Sequence, residues 1–175
     1  MTMTIERRRS LREARVNIGW TLLFAGLVGL TACPGAATAA PVSTPQRIVY
    51  HISEGEPERQ SAALRSLQNL INALGPGDWD LRAVVHGEGV SLLLLPEAKS
   101  KVSGLRYGNA VPEMRAHIDR LRAQGVRFEV CGNTLRRHAI DPDRHLYRVD
   151  PGDIVRSGLM RLATLQSRGY VYIKP

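Results

Sequence analysis

The residue with the clearest potential for chemistry is Cys131, which follows a short predicted strand and is followed by Gly132 and Asn133. At the end of a strand and the start of a helix, unpaired backbone amides and the helix dipole stabilise a thiolate. Arg136 and Arg137 follow within the same predicted helix and add positive charge. Because a thiolate is the form that attacks sulfur or carries a persulfide, this pattern predicts a reactive thiol. A buried cysteine that packs as a small hydrophobic residue fits the same position, and position alone does not separate the two.

Two histidines and a glycine-rich loop are predicted at the same edge of the domain. His51 lies near the end of the first apolar run, and His86, Gly87 and Gly89 follow the second. In an open α/β sheet, ligands bind beyond the carboxyl ends of the strands, where these residues converge. The histidines could poise a thiol and the glycine amides could cradle an anion; structural histidines and a plain tight turn are the alternatives. No HExxH, P-loop, GxSxG or Cys/His metal spacing is present, so the sequence predicts neither a metal nor a cofactor.

The elements that position these residues alternate between strands and helices. Apolar or alternating segments predict strands at 48–52, 81–85, 126–130, 147–149 and 170–173. Helical spacing predicts helices at 57–74, 111–124, 133–138 and 150–169, the last with Val155, Leu159, Leu162 and Leu165 facing inward. Residues 90–95 fit either a strand or a buried half-turn. This order predicts an α/β domain with a mainly parallel sheet covered on both faces.

Composition indicates one globular domain behind a short leader. The chain has 175 residues, of which 43% are hydrophobic and 23% charged. The net charge is +8, and the five arginines and two glutamates before Cys33 account for +3 of it. The remaining charges are scattered, whereas a nucleic-acid-binding domain usually carries a basic stripe with interspersed aromatic residues. We therefore expect no nucleic-acid partner.

Residues 1–33 are predicted to form an export leader, followed by a linker at 34–45 and the domain at 46–175. The first 16 residues are polar and arginine-rich, and residues 18–32 are apolar without a charge. This apolar run is short for a membrane anchor and typical of a signal-peptide core. The tetrapeptide LTAC predicts lipidation at Cys33; the tripeptide ATA at 37–39 predicts the competing cut before Ala40. We favour the more specific lipobox, which predicts a protein of the bacterial periplasm or cell envelope, tethered to the membrane if Cys33 is lipidated. Either cut leaves Cys131 as the only thiol that is free to react.

Four motifs in order resemble the DsrE/DsrF-like family. They are IVYH at 48–51, HGEGV at 86–90, VRFEVCGNTL at 126–135 and GYVYIKP at 169–175. The resemblance implies a flavodoxin-like three-layer α/β domain with about five strands, assembled as a homo-oligomer, more often a trimer or hexamer than a dimer. Sulfur-relay members carry a persulfide on a cysteine at the end of a central strand, followed by a helix with paired arginines. Cys131 with Arg136 and Arg137 is similar to that pattern; relay members are cytoplasmic, whereas this chain is predicted to carry an export leader.

The function expected from these observations is binding or relay of sulfur as a persulfide on Cys131, with a sulfur donor or acceptor protein as partner. One alternative is a non-catalytic oligomeric binding module for a small anionic ligand. Another is a thiol redox sensor that pairs Cys131 between subunits. The third strand, in which Arg127 and Glu129 alternate with apolar residues, is expected to be half exposed and to leave part of the sheet free for a partner chain.

Overall fold

The structure, a computed structural model, describes residues 45–175. Its strands are β1 (Gln46–Ile52), β2 (Trp79–Val85), β3 (Arg127–Cys131), β4 (Ile154–Val155) and β5 (Val171–Ile173). Its α-helices are α1 (Pro57–Leu74), α2 (Pro112–Ala123), α3 (Gly132–Arg137), α4 (Pro142–His145) and α5 (Gly158–Ser167). Short 3₁₀ helices cover Gly87–Leu92, Pro96–Lys101 and Pro151–Asp153. The predicted leader, including Cys33, lies outside the described residues, as does nearly all of the predicted linker.

The five strands form one sheet in the order β4-β3-β2-β1-β5, and every strand pair is parallel. Connections between parallel strands are right-handed. The connections from β1 to β2, β2 to β3 and β3 to β4 all move in the same direction across the sheet, so their helices lie on one face. The last step returns from β4 to the opposite edge, and α5 therefore covers the other face. The predicted α/β class with a parallel sheet is confirmed.

Side-chain alternation along the strands divides the core into two parts. Ile48, Tyr50 and Phe128 belong to the larger part, which packs beneath α1 and α2. Val49 and Val84 point the other way and pack with Leu162 and Leu165 of α5. The α5 face is the one that carries the candidate site.

Helix α1 illustrates how local sequence sets an element. Pro57 occupies the first turn, and the acidic Glu58 suits the positive end of the helix dipole. The helix ends at Gly75, which has a φ of 69° and donates its N–H to the carbonyl of Ile71. Only glycine adopts this backbone conformation without strain, so the predicted stop is confirmed.

The region before α5 was predicted wrongly. Residues 147–149 are not a strand; Leu146, just before them, makes an isolated antiparallel bridge with Leu94. Asp150 caps only a 3₁₀ turn, and the helix begins later, where the Ser157 hydroxyl accepts the N–H of Met160. The spacing of apolar residues from 155 onward has a helical period, which concealed the two-residue strand β4. Leu159, predicted to face inward, is 65% exposed.

The expectation of a half-exposed β3 was also wrong for Glu129, which is buried beneath α5. Its carboxylate lies 2.8 Å from Nη1 of Arg82 and 2.6 Å from Nε of Arg161. Burial raises the pKa of this carboxyl, but hydrogen bonds from the two arginines outweigh burial and lower it. Alternation identifies which residues share a face of the sheet; it does not reveal that a charged partner covers them.

Within residues 45–175, no helix is both long and apolar enough to cross a bilayer.

Candidate functional site

The parallel register brings the predicted site residues to one end of the sheet. Ile52 pairs with Val85, and Val85 pairs with Val130. The residues that follow Val85 and Val130, His86 and Cys131, are therefore neighbours at the carboxyl ends of adjacent strands. Because alternate residues share a face, His51 and Cys131 lie on the same side as Val49 and Glu129, beneath α5.

Cys131 lies at the N-cap of α3 and is 5% exposed. Burial raises the pKa of its thiol, but hydrogen bonds from the Thr134 side chain and from the amides of Gly158, Thr134 and Asn133 outweigh burial and lower it. The Thr134 hydroxyl is oriented for this role because its oxygen accepts the N–H of Gly87 at 3.0 Å. The predicted strand-end, helix-start position of Cys131 is therefore observed, with amide donors from two helices.

Gly158 allows the N-terminus of α5 to approach the cysteine. A Cβ atom placed on Gly158 would lie 3.0 Å from Cβ of His86 and 3.1 Å from Cβ of Cys131. Both distances are tighter than ordinary van der Waals contact, so a larger residue would push α5 away from the thiol. The sequence analysis missed Gly158, because its role depends on where α5 crosses the sheet.

The two predicted histidines form a close pair. Their Nε2 atoms lie 2.6 Å apart, and Nδ1 of His51 lies 2.7 Å from the hydroxyl of Tyr172. Burial, with smaller contributions from the charges of His86 and Lys174, lowers the pKa of His51 to about 4. Burial and Lys174 also lower the pKa of His86. Both shifts favour the uncharged forms of the two rings.

The arginines and the glycine loop make contacts within the protein. Arg136 and Arg137 are exposed, and Arg136 hydrogen-bonds to the side chain of Asn133. The lowered pKa of Cys131 arises from hydrogen bonds rather than from these two charges. The amide of Gly87 donates to Thr134. The amide of Gly89 donates to the carbonyl of His86. Because both amides are engaged within the protein, their geometry favours the tight-turn alternative.

Close packing also explains why residues 89 and 132 are glycines. A Cβ atom on Gly89 would lie 2.2 Å from the carbonyl oxygen of Ile52, so only glycine fits there. A Cβ atom on Gly132 would lie 3.2 Å from the carbonyl oxygen of Val155, where α3 meets β4. Both glycines hold the ends of neighbouring strands close together and thereby shape the site.

A cavity of about 150 Å³ lies beside His51, on the side of α1. Its polar lining comprises Ser53, Glu54, Arg59, Gln60, Ser66 and Lys174. Glu54 and Lys174 form an ion pair of 3.3 Å within it. Cys131 does not line this cavity. In the part of the chain that the structure describes, no three His, Cys, Asp or Glu side chains are grouped to hold a metal ion.

Comparison with known proteins places this geometry in a family. The fold is similar to that of a protein of unknown function from Methanobacterium thermoautotrophicum, with a TM-score of 0.58 and 28% sequence identity. The match covers 74% of this chain and 99% of the other. No curated protein matches the chain. The model of the DsrE/DsrF-like family matches residues 46–175, the whole region that carries the sheet and the Cys131 site. The chain therefore belongs to the DsrE/DsrF-like family.

Proposed function

We propose that this protein binds and relays sulfur as a persulfide on Cys131. The observation that carries the proposal is the set of hydrogen bonds to the thiol from Thr134, Asn133 and Gly158, which lowers its pKa in spite of its burial. A thiolate stabilised by helix amides is the nucleophilic form of cysteine. Membership of the DsrE/DsrF-like family, which suggests a sulfur-relay-like role, supports the same chemistry.

Loading requires no oxidant when the donor is itself a persulfide. The Cys131 thiolate attacks the outer sulfur of the donor, and a new sulfur–sulfur bond forms. The donor's own sulfur–sulfur bond breaks, and its electron pair leaves with the donor thiolate, which takes up a proton. Transfer onward is the reverse reaction with an acceptor thiol, so one cysteine suffices for both steps.

The burial of Cys131 favours relay over the redox-sensor alternative. A disulfide between subunits needs two Cα atoms within roughly 7 Å of one another. A thiol that is 5% exposed and covered by the start of α5 does not present its sulfur to an equally covered copy. A small persulfide, or a thin loop that carries one, needs less room at the sulfur than a second copy of the domain does.

The test uses the full chain carrying Cys33→Ala, so that Cys131 is the single thiol. The protein is incubated with glutathione persulfide, and intact-mass spectrometry measures the gain of one sulfur atom. We expect a gain that dithiothreitol reverses and that Cys131→Ser abolishes. If the parent chain gains no sulfur, and Cys131→Ser retains the affinity of the parent for thiosulfate, the relay is refuted in favour of the anion-binding module.

The setting that we propose for this reaction is the bacterial cell envelope, with Cys33 lipidated and the domain assembled as a homo-oligomer. The leader motif supports export, and the family resemblance supports a trimer or hexamer. Leu159 and Met160 at the start of α5 are each 65% exposed, and Val171 on the edge strand β5 is 58% exposed. Apolar side chains left uncovered beside the site are suited to contact with a partner chain.

A further inference from the structure

We propose that Tyr172, His51 and His86 form a neutral proton relay that protonates the thiolate leaving the sulfur donor at Cys131. The inference rests on the proposed function and extends it to residues beyond the thiol. It begins from the two short contacts that join the three side chains, 2.7 Å from Tyr172 to His51 and 2.6 Å from His51 to His86.

The inner end of this chain lies beside Cys131. His86 and Cys131 follow paired residues on adjacent strands and pack against the same glycine, Gly158. The outer end reaches solvent, because Tyr172 is 39% exposed whereas His51 is 7% exposed. The three side chains therefore connect solvent to the place where a donor thiolate would be released.

The contact between the histidines permits two proton arrangements. With one proton between the two Nε2 atoms, either His51 donates to His86 or His86 donates to His51. In the first arrangement Nδ1 of His86 carries a proton, and Nδ1 of His51 accepts the hydroxyl of Tyr172. In the second arrangement Nδ1 of His86 is bare, and Nδ1 of His51 donates to Tyr172. Both arrangements are neutral and keep every contact.

Loading Cys131 converts the first arrangement into the second. His86 gives its Nδ1 proton to the leaving thiolate and receives the Nε2 proton of His51. His51 receives the Tyr172 proton, and water replaces the proton on Tyr172. Unloading reverses each step, because His86 then accepts the proton of the acceptor thiol. The net exchange is one proton taken from solvent on loading and one returned on unloading.

The surroundings explain why the relay conducts a proton and does not store it. Burial and the nearby Lys174 disfavour an imidazolium, and only Glu54 acts in the opposite sense on His51. Lys174 is itself paired with Glu54. Helix α5 contributes Gly158, which brings no charge to His86. An ordinary histidine acid would have to be protonated beforehand, whereas this pair passes a proton without becoming charged.

The dependence on the leaving group tests the relay. A thiolate of low pKa leaves without protonation, whereas an aliphatic thiolate benefits from an acid. Rate constants for attack by Cys131 are measured on a nitroaromatic disulfide and on oxidised glutathione, in the full chain carrying Cys33→Ala. We expect His86→Gln and Tyr172→Phe each to slow the glutathione reaction by about 100-fold or more and to leave the aromatic reaction nearly unchanged. Imidazole in solution should restore the glutathione rate of His86→Ala.

Matched controls separate the relay from damage to the fold. His117→Gln alters a histidine on α2, and Tyr147→Phe removes a tyrosine hydrogen bond, 2.7 Å to Asp119, away from the site. Neither should change the ratio of the two rates. Equal slowing of both reactions, or no slowing, in His86→Gln and Tyr172→Phe would overturn the relay. Failure of the parent chain to retain persulfide sulfur would refute the proposed function alone, because the disulfide ratio does not depend on it.

Discussion

The substitution Thr134→Val removes the side-chain donor to Cys131 and nearly preserves the shape of the residue. The Thr134 hydroxyl accepts the N–H of Gly87 and donates to the sulfur, so the change deletes one hydrogen bond to the thiolate. A hydrogen bond to a charged group contributes about 1.5–3 kcal/mol. Since one pKa unit corresponds to about 1.4 kcal/mol, the pKa of Cys131 should rise by about 1–2 units.

The assay is the rate of alkylation by iodoacetamide as a function of pH, in the full chain carrying Cys33→Ala. The parent should react at a nearly constant rate from about pH 8 down to about pH 6.5, as acidified cysteines do. Thr134→Val should react about 10-fold more slowly at the lower pH and match the parent at high pH. An unchanged midpoint in this variant would refute the hydrogen-bond explanation.

Two comparisons make this assay specific to the hydroxyl. Thr134→Ser keeps the donor and should retain the midpoint of the parent, although it loses a methyl group. Arg136→Ala and Arg137→Ala remove exposed charges, whose effect solvent screens, so each should shift the midpoint little. A larger shift from either arginine than from Thr134→Val would restore the view that charge acidifies the thiol.

Four further predictions follow from the leader, the surface and the buried charges. Cys33→Ala should abolish fatty-acid labelling and release the protein from membranes, and a native N-terminus at Ala40 would contradict the lipobox. Light scattering of the domain at micromolar concentration should show a trimer or hexamer, and a monomer alone would refute the assembly. Glu129→Gln should lower the free energy of unfolding by roughly 3–5 kcal/mol, and Arg148→Ala, at an exposed ion pair, should lower it far less. Burial lowers the pKa of His51 from 6.5 to about 4, so the contribution of the neutral ring to the free energy of unfolding should be fully present above pH 6.5 and be lost as the pH falls toward 4. Urea titrations should therefore show a smaller loss of stability over this range in His51→Gln than in the parent.

The sequence predicted the elements that are defined by local signals. Helix α1 has a proline at its start and a glycine at its end, and both boundaries were found where these residues indicate. Strand β4 has only two residues and no alternation to detect, so it was missed. The burial of Glu129 was missed for a different reason, because it depends on Arg161, which lies 32 residues further along the chain.

The candidate site divides in the same way between local and distant causes. The position of Cys131 before a helix could be predicted, since strand, cysteine and helix are contiguous. The role of Tyr172 could not, because β5 might have been placed at either edge of the sheet from sequence alone. Only its parallel pairing with β1, in which Val49 lies opposite Tyr172, brings the tyrosine hydroxyl to His51.

The sheet order links the thiol to its proposed proton path. The crossover from β4 to β5 must span the whole sheet, so α5 passes over β1, β2 and β3. The N-terminus of α5 is thereby set beside Cys131, and the strand after α5 is set beside His51. A single connection thus supplies both the Gly158 amide that stabilises the thiolate and the Tyr172 hydroxyl that opens the histidine pair to solvent. Lengthening this connection before Gly158 should therefore raise the pKa of Cys131 without disturbing the contact between His51 and Tyr172.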